Sequence, residues 1–268
     1  MKKFLSVVTT AAMLATSAHA ISEGAIADVS LGLSTPIMVP SMKVGTSSTS
    51  YVDIATDLGL GASIQFDMWG EFTHLIPIIP NVRIEMATLS YTTTQTITVL
   101  GQALSGTSTF SMDNKDAILF WGVPFVTLIP FVDKVDFGLG LKMIDGRVGA
   151  QAYTESTSTA ITAPIPYAWL RGAVSIPVVG VGLAIDSKFI GTDAVFGTDG
   201  FMGNKINFSE MVYKATWGIA LPIPVLTLEA GAEIGYKQTT LDVTIPNSLY
   251  LNGSFSGVIF GVYGVFGI

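Results

Sequence analysis

Apolar and polar residues alternate with a period of two along much of this chain. In Leu228-Glu229-Ala230-Gly231-Ala232-Glu233-Ile234-Gly235-Tyr236-Lys237 every second residue is apolar, and those between are charged or glycine. Val135-Asp136-Phe137-Gly138-Leu139-Gly140-Leu141-Lys142-Met143, Val82-Arg83-Ile84-Glu85-Met86 and Ala62-Ser63-Ile64-Gln65-Phe66-Asp67-Met68 repeat the pattern. Successive side chains of a strand point to opposite faces, so the alternation marks strands with two chemically different sides. The chain offers ten such strands, over residues 24–34, 59–72, 81–97, 116–125, 134–153, 165–175, 180–190, 206–221, 225–243 and 254–268.

The connections between them are of two kinds, and the kinds alternate. One set is short, apolar and proline-bearing: 74–80, 126–133, 176–179 and 222–224. Proline pre-sets φ for a tight turn. The other set is polar, mostly longer, and rich in Ser, Thr, Asn, Asp and Gly: 35–58, 98–115, 154–164, 191–205 and 244–253. The two sets fall at opposite ends of the strands. Short turns at one end and long loops at the other are the habit of bacterial outer-membrane barrels.

Composition sharpens the choice. The chain is 49% hydrophobic and 12% charged, about half the charged share usual for a soluble domain. Such a chain faces lipid or is buried on more than one side. Its longest apolar stretches, 117–132 and 161–185, are broken by Pro124 and Pro130 and by Pro164, Pro166, Arg171 and Pro177. Proline costs about 3 kcal/mol inside a helix, so spanning helices lose. A soluble β-sandwich would also alternate, but it needs more charge outside and has no reason for two kinds of connection. The expected fold is all-β, a closed antiparallel up-and-down transmembrane β-barrel of about ten strands. Closure is required because an open sheet edge in hydrocarbon leaves backbone groups unsatisfied.

Residues 1–20 read as a cleaved signal peptide: Lys2 and Lys3, a short apolar stretch, then Ala18-His19-Ala20. Residues 21–268 form the barrel. The formal charge of −7 includes Lys2 and Lys3, so the remainder stands at −9. With no Lys/Arg cluster, an acidic chain is no nucleic-acid partner. There is no cysteine, which removes disulfides, thiolate metal sites and thiol nucleophiles.

The face opposite the apolar residues would line the lumen. It carries Gln65 with the charged residues Asp67, Glu71, Arg83, Glu85, Asp136, Lys142, Arg171, Asp186, Lys188, Lys214, Glu229, Glu233 and Lys237, seven acids against six bases. Pairing across the lumen is the natural arrangement, and the near balance of sign argues against strong ion selectivity. Gly138, Gly140, Gly231 and Gly235 on the same face leave room for long neighbours or relieve strand twist. On the lipid side Phe72, Trp121, Phe125, Phe131, Trp217 and Phe266 fall near the proline-turn end, where they read as a periplasmic aromatic girdle. Ordinary packing against the turns is the alternative.

Catalytic chemistry finds little purchase. Beyond the leader the only histidine is His74, in a proline-rich turn, so no Ser-His-Asp set and no His cluster for metal can be assembled at the opposite rim. Glu229 and Glu233 share a face, but nearby lysines give them a simpler role as ion-pair partners. There is no P-loop or dinucleotide fingerprint. No enzyme activity and no cofactor are expected.

Several segments together resemble a family of proteobacterial outer-membrane barrels with no assigned activity. They are Pro77-Ile78-Ile79-Pro80-Asn81-Val82-Arg83-Ile84-Glu85, then 134–148 with Ile144-Asp145-Gly146-Arg147, Ala163-Pro164-Ile165-Pro166-Tyr167, and 230–237 ending Gly235-Tyr236-Lys237. The resemblance implies a signal peptide and a single barrel, and assigns no residue a role. The last strand ends in Phe266-Gly267-Ile268, an apolar end of the kind read by the barrel-assembly machinery. The expected partners are therefore outer-membrane lipids, lipopolysaccharide and that machinery, with both termini periplasmic. The expected function is a structural or surface-exposed barrel whose lumen is filled by paired charges. The alternative is a narrow passive channel for small polar or amphipathic solutes, since about ten strands lie nearer the filled eight-stranded barrel than the open porin.

Overall fold

Alternating sequences of this kind pair as antiparallel neighbours, and here the pairing closes on itself. A computed structural model describes residues 26–99, 102–124, 126–152, 155–176, 181–191, 204–223, 226–245 and 249–267. The leader expected over residues 1–20 lies outside them. The strands are β1 (Ala27–Ser47), β2 (Ser50–Asp53), β3 (Ser63–Ile64), β4 (Phe66–His74), β5 (Asn81–Val99), β6 (Gln102–Gly122), β7 (Val132–Ala152), β8 (Glu155–Ile176), β9 (Val181–Gly191), β10 (Lys205–Ile223), β11 (Leu226–Ile245) and β12 (Leu249–Gly267). From β4 onward each pairs with the next, β4 pairs with β1, and β12 returns to β1 from Asp28↔Gly267 to Gly45↔Tyr250. The molecule is an all-β, closed, antiparallel barrel of ten wall strands, β1 and β4–β12, with β2 and β3 as short additions to β1.

Most of the polar stretches expected to be loops are strand instead. β1 runs on through the expected loop 35–58 as far as Ser47, and β5 and β6 extend until Val99 pairs with Gln102. β7 and β8 meet at Ala152↔Glu155, and β11 and β12 at Ile245↔Leu249. Within 191–205, residues 192–203 lie outside the described residues.

The physical reason lies in which face is polar. On β5 the outward residues are Val82, Ile84 and Met86, followed by Thr88, Ser90, Thr92 and Thr94. The inward ones are Arg83 and Glu85, followed by Leu89 and Tyr91. On β7 Phe137, Leu139, Leu141 and Met143 face out, then Asp145 and Arg147; Asp136 and Lys142 face in, then Ile144. β11 makes the same change between Tyr236 and Gln238 outside and between Lys237 and Leu241 inside. The alternation is unbroken while its chemistry inverts. A 21-residue strand such as β6 spans about 70 Å at roughly 3.3 Å per residue. Tilted by about 40°, it stands about 50 Å tall against an apolar band of about 25 Å. Half of each long strand therefore lies beyond such a band, and there the barrel is built like a soluble one.

Among the described residues the wall is irregular along a seam beside β1. Pairing of β1 with β4 stops at Ser34↔Asp67. Beyond it the carbonyls of Pro36 and Met42 accept the N–H groups of Gln65 and Ile54, so even-numbered residues of β1 aim their backbone groups at this side. Pro36 and Pro40 have no N–H to offer there, and proline sits only where a ladder is interrupted. The chain from 54 to 65 fills the seam. Ile54, Leu58 and Leu60 turn into the barrel and are buried. The Gln65 side-chain Oε1 accepts the Ser90 N–H at 2.7 Å and the Ser63 hydroxyl donates to the Ser90 backbone carbonyl at 2.8 Å, replacing a strand partner for β5.

Candidate functional site

The interior is stacked in three layers. At the long-hairpin end lies an apolar core in which Met38, Met42, Tyr91, Phe110, Leu241, Leu251 and Phe255 are buried among one another and against Ile54. The rings of Tyr91 and Phe110 each stack on Phe255, with centroids 6.3 and 5.9 Å away. A void of about 10 Å³ lies at the boundary with the layer below, among Met38, Leu89, Met112, Phe208 and Phe255 on one side and Asp67, Lys142, Glu210 and Lys237 on the other, room for no more than one water.

Beneath it is a layer of charge. Arg171 on β8 donates from Nη1 and Nη2 to the two oxygens of Glu71 on β4 at 2.6 and 2.9 Å, and from Nε to Asp136 at 2.7 Å. Arg83 adds Nη1 to Glu71 at 2.9 Å and Nε to Glu85 at 2.6 Å. Lys188 on β9 pairs with Glu85 on β5 and with Glu210 at 2.8 Å. Lys142 donates to Asp116 at 2.6 Å, and the Tyr167 hydroxyl takes the other oxygen of Asp116 at 2.8 Å. Lys237 reaches Asp67 at 2.9 Å, Lys214 reaches Glu233 at 3.1 Å, and Tyr263 donates to Glu229 at 2.8 Å. Strands β4 and β8, and β5 and β9, stand nearly opposite in a ten-strand ring, so Glu71–Arg171 and Glu85–Lys188 are braces across the lumen. Buried ions are tolerable because most have several partners at once; an unpaired one would cost several kcal/mol.

Glycines make this packing possible. Gly32 faces Trp69, Gly138 faces Trp169, Gly140 faces Tyr167 and Gly231 faces Tyr263 across paired strands. A Cβ at Gly140 would lie 2.3 Å from the Tyr167 ring, and one at Gly231 2.4 Å from that of Tyr263. At Gly32, Gly140 and Gly231 the Trp69, Tyr167 and Tyr263 rings cover bare backbone, which leaves the tyrosine hydroxyls free to reach their carboxylates.

Of the charged residues named from sequence, Glu71, Arg83, Asp136, Lys142, Arg171, Asp186, Lys188, Glu229 and Glu233 are buried, and Asp67, Glu85, Lys214 and Lys237 are half-buried. Asp116 and Glu210 were not among them, yet both are buried in this layer. Asp116 precedes Ala117-Ile118-Leu119-Phe120, where both faces are apolar and alternation gives no direction. Glu210 shares the parity of Lys214, a signal that could have placed it. With these two the charge layer holds nine carboxylates against six cations among the described residues, an acidic excess rather than the near balance expected; Asp28, Asp133 and Lys134 line the space below it.

The third layer is open space. A cavity of about 400 Å³ occupies the proline-turn end, lined by Asp28, Glu71, Lys134, Asp136, Asp186, Glu229, Glu233 and Tyr263 among others. Above it, a void of about 40 Å³ lies inside the charge layer. At the rim His74 accepts the Ile76 N–H on Nδ1 at 3.2 Å. Among the described residues no three His, Asp or Glu side chains converge to hold a metal ion. Of the expected girdle, Phe72, Phe131, Trp217 and Phe266 are exposed on the outer wall toward this end, Trp121 is half-buried against Phe137, and Phe125 lies outside the described residues. Phe131 holds φ at 69°, a strained conformation for an aromatic residue.

No protein-family model matches the chain, and no curated protein matches it. Among solved structures it is similar to the P. putida toluene transporter TodX, at 12% identity and a TM-score of 0.27 over 96% of this chain and 92% of that one. A TodX ΔS2S3 mutant, described as a monoaromatic hydrocarbon channel, aligns at 11% identity and a TM-score of 0.30 over 94% and 93%.

Proposed function

We propose that this chain is an integral outer-membrane barrel of structural or surface-exposed type whose lumen is closed to passive flow. The observation that carries this reading is the filled interior: an apolar core seals one half, and cross-lumen ion pairs brace the middle. A belt of exposed apolar side chains, including Leu31, Ile84, Leu139, Ile185, Ile219 and Val262, supports insertion, because only a closed barrel or a helix can satisfy its backbone in lipid. The resemblance of its turn and Gly-aromatic segments to proteobacterial outer-membrane barrels points the same way.

In this reading the proline-turn end, with both termini, faces the periplasm, and Phe72, Trp121, Phe125, Phe131, Trp217 and Phe266 anchor the interface there. The Ser/Thr-clad hairpins stand outside, at the level of lipopolysaccharide, and the last strand engages the barrel-assembly machinery. A conduit for small solutes would have to displace Met38, Tyr91, Phe110 and Phe255. Planar-bilayer recording of the refolded protein tests the reading. It predicts a silent membrane, even where heat-modifiable migration on a gel shows folded barrel; discrete conductance steps from the folded protein would refute it.

A further inference from the structure

The cavity at the proline-turn end exists because the side chains around it are small. Ala173 on β8, Gly182 and Ala184 on β9, and Thr216 on β10 line it, where long side chains would have closed the barrel. It is blind: Trp69, Arg83, Asp186 and Lys214 line both this cavity and the small void above, and so form the partition between them.

Asp186 stands out in that partition. Its side chain lies 8% exposed, and its Oδ1 has no hydrogen-bond partner among the described residues. Arg171 pairs with it in strand register, but the hydrogen bonds of Arg171 go to Glu71 and Asp136, and those of Arg83 go to Glu71 and Glu85. Asp28, nearer the mouth, has a buried carboxylate oxygen in the same condition. Buried polar groups are nearly always partnered, and a carboxylate oxygen can only accept. The surrounding interior already carries an excess of acid. We propose that this vestibule binds a small organic cation, an ammonium or guanidinium group on a short apolar body, with Asp186 as the anchoring carboxylate.

The chemistry narrows the class. A metal ion lacks the converging ligands described above, whereas a single N–H-bearing cation needs only one or two carboxylates. Ala184, Val265 and the Tyr263 ring offer apolar wall for the body of the ligand. The inference goes beyond the proposed function and needs only the partition, not the membrane.

The test is isothermal titration of the refolded, full-length mature protein in zwitterionic detergent with n-butylammonium chloride, using n-butanol as the uncharged control. The expected result is saturable binding of the amine and none of the alcohol. Asp186→Asn should weaken binding at least about tenfold, as loss of a charged hydrogen bond does. Ala184→Phe, which fills the cavity and leaves every charge in place, should abolish it. Should D186N fail to fold, wild type and A184F decide the matter. Absence of saturable binding to wild type, equal affinity for wild type and D186N, or competition by magnesium beyond that of sodium at matched ionic strength would each overturn the proposal. Conductance is silent in all of these cases if the lumen is closed, so failure here is distinct from failure of the closed-barrel reading.

Discussion

Arg171 joins Asp136 on the neighbouring strand to Glu71 on the nearly opposite wall, with three donated bonds of 2.6 to 2.9 Å. Removing it leaves Glu71 and Asp136 short of their main counter-charge in a buried site. Arg171→Met is expected to destabilise the barrel by about 3–5 kcal/mol. Arg171→Lys, which keeps the charge but loses the planar fork, should fall between. Urea unfolding in lipid vesicles, followed by tryptophan fluorescence, measures both; an unchanged midpoint for R171M would show that the brace carries no load. The inward charges on β5, β7 and β11 were legible because each strand alternates cleanly. Asp116 was not, because its apolar neighbours Ala117 and Leu119 face out while Ile118 and Phe120 face in. Nor could a sequence show that Gly140 and Gly231 lie beneath tyrosine rings, since that depends on register between strands.

Each long strand carries two solvents' worth of information. The position of every wall strand was legible from period-two alternation, one predicted segment for each. The length was not. Runs such as Thr107-Ser108-Thr109 read as loop because they lack an apolar partner in the expected phase. In the structure the same parity persists: Thr109 lies exposed on the outer face and Ser108 is buried inside. The seam beside β1 was also illegible as wall, although Pro36 and Pro40 mark where its ladder stops. The inversion makes a paired prediction on one face of β5. Ile84→Lys places a charge in the apolar belt and should cost roughly 2–4 kcal/mol of barrel stability in vesicles. Thr92→Lys, four pairs further along the same face, should leave stability within about 0.5 kcal/mol. Equal effects on unfolding free energy would mean that the two positions share one environment.

The whole molecule is two barrels end to end on one set of strands: a half with an apolar outer face and an ionised interior, and a half with a polar outer face and an oily interior. Burying the apolar side chains inside the second half stabilises its strands at about 25 cal/mol per Å² removed from water. The charged layer lies where the outside is apolar, because the interior is then the only place an ionised group can find partners. The proposed closure of the lumen and insertion in a membrane thus rest on one arrangement of side chains. Its most direct test uses the absence of cysteine: single cysteines at Val82, Ile84, Met86, Thr88, Ser90 and Thr92 carry a nitroxide in turn, in vesicles. Collision rates with oxygen and with a water-soluble nickel complex then report each environment. The account predicts oxygen-dominated relaxation at the first three positions and nickel-dominated relaxation at the last three; nickel access at all six would contradict it.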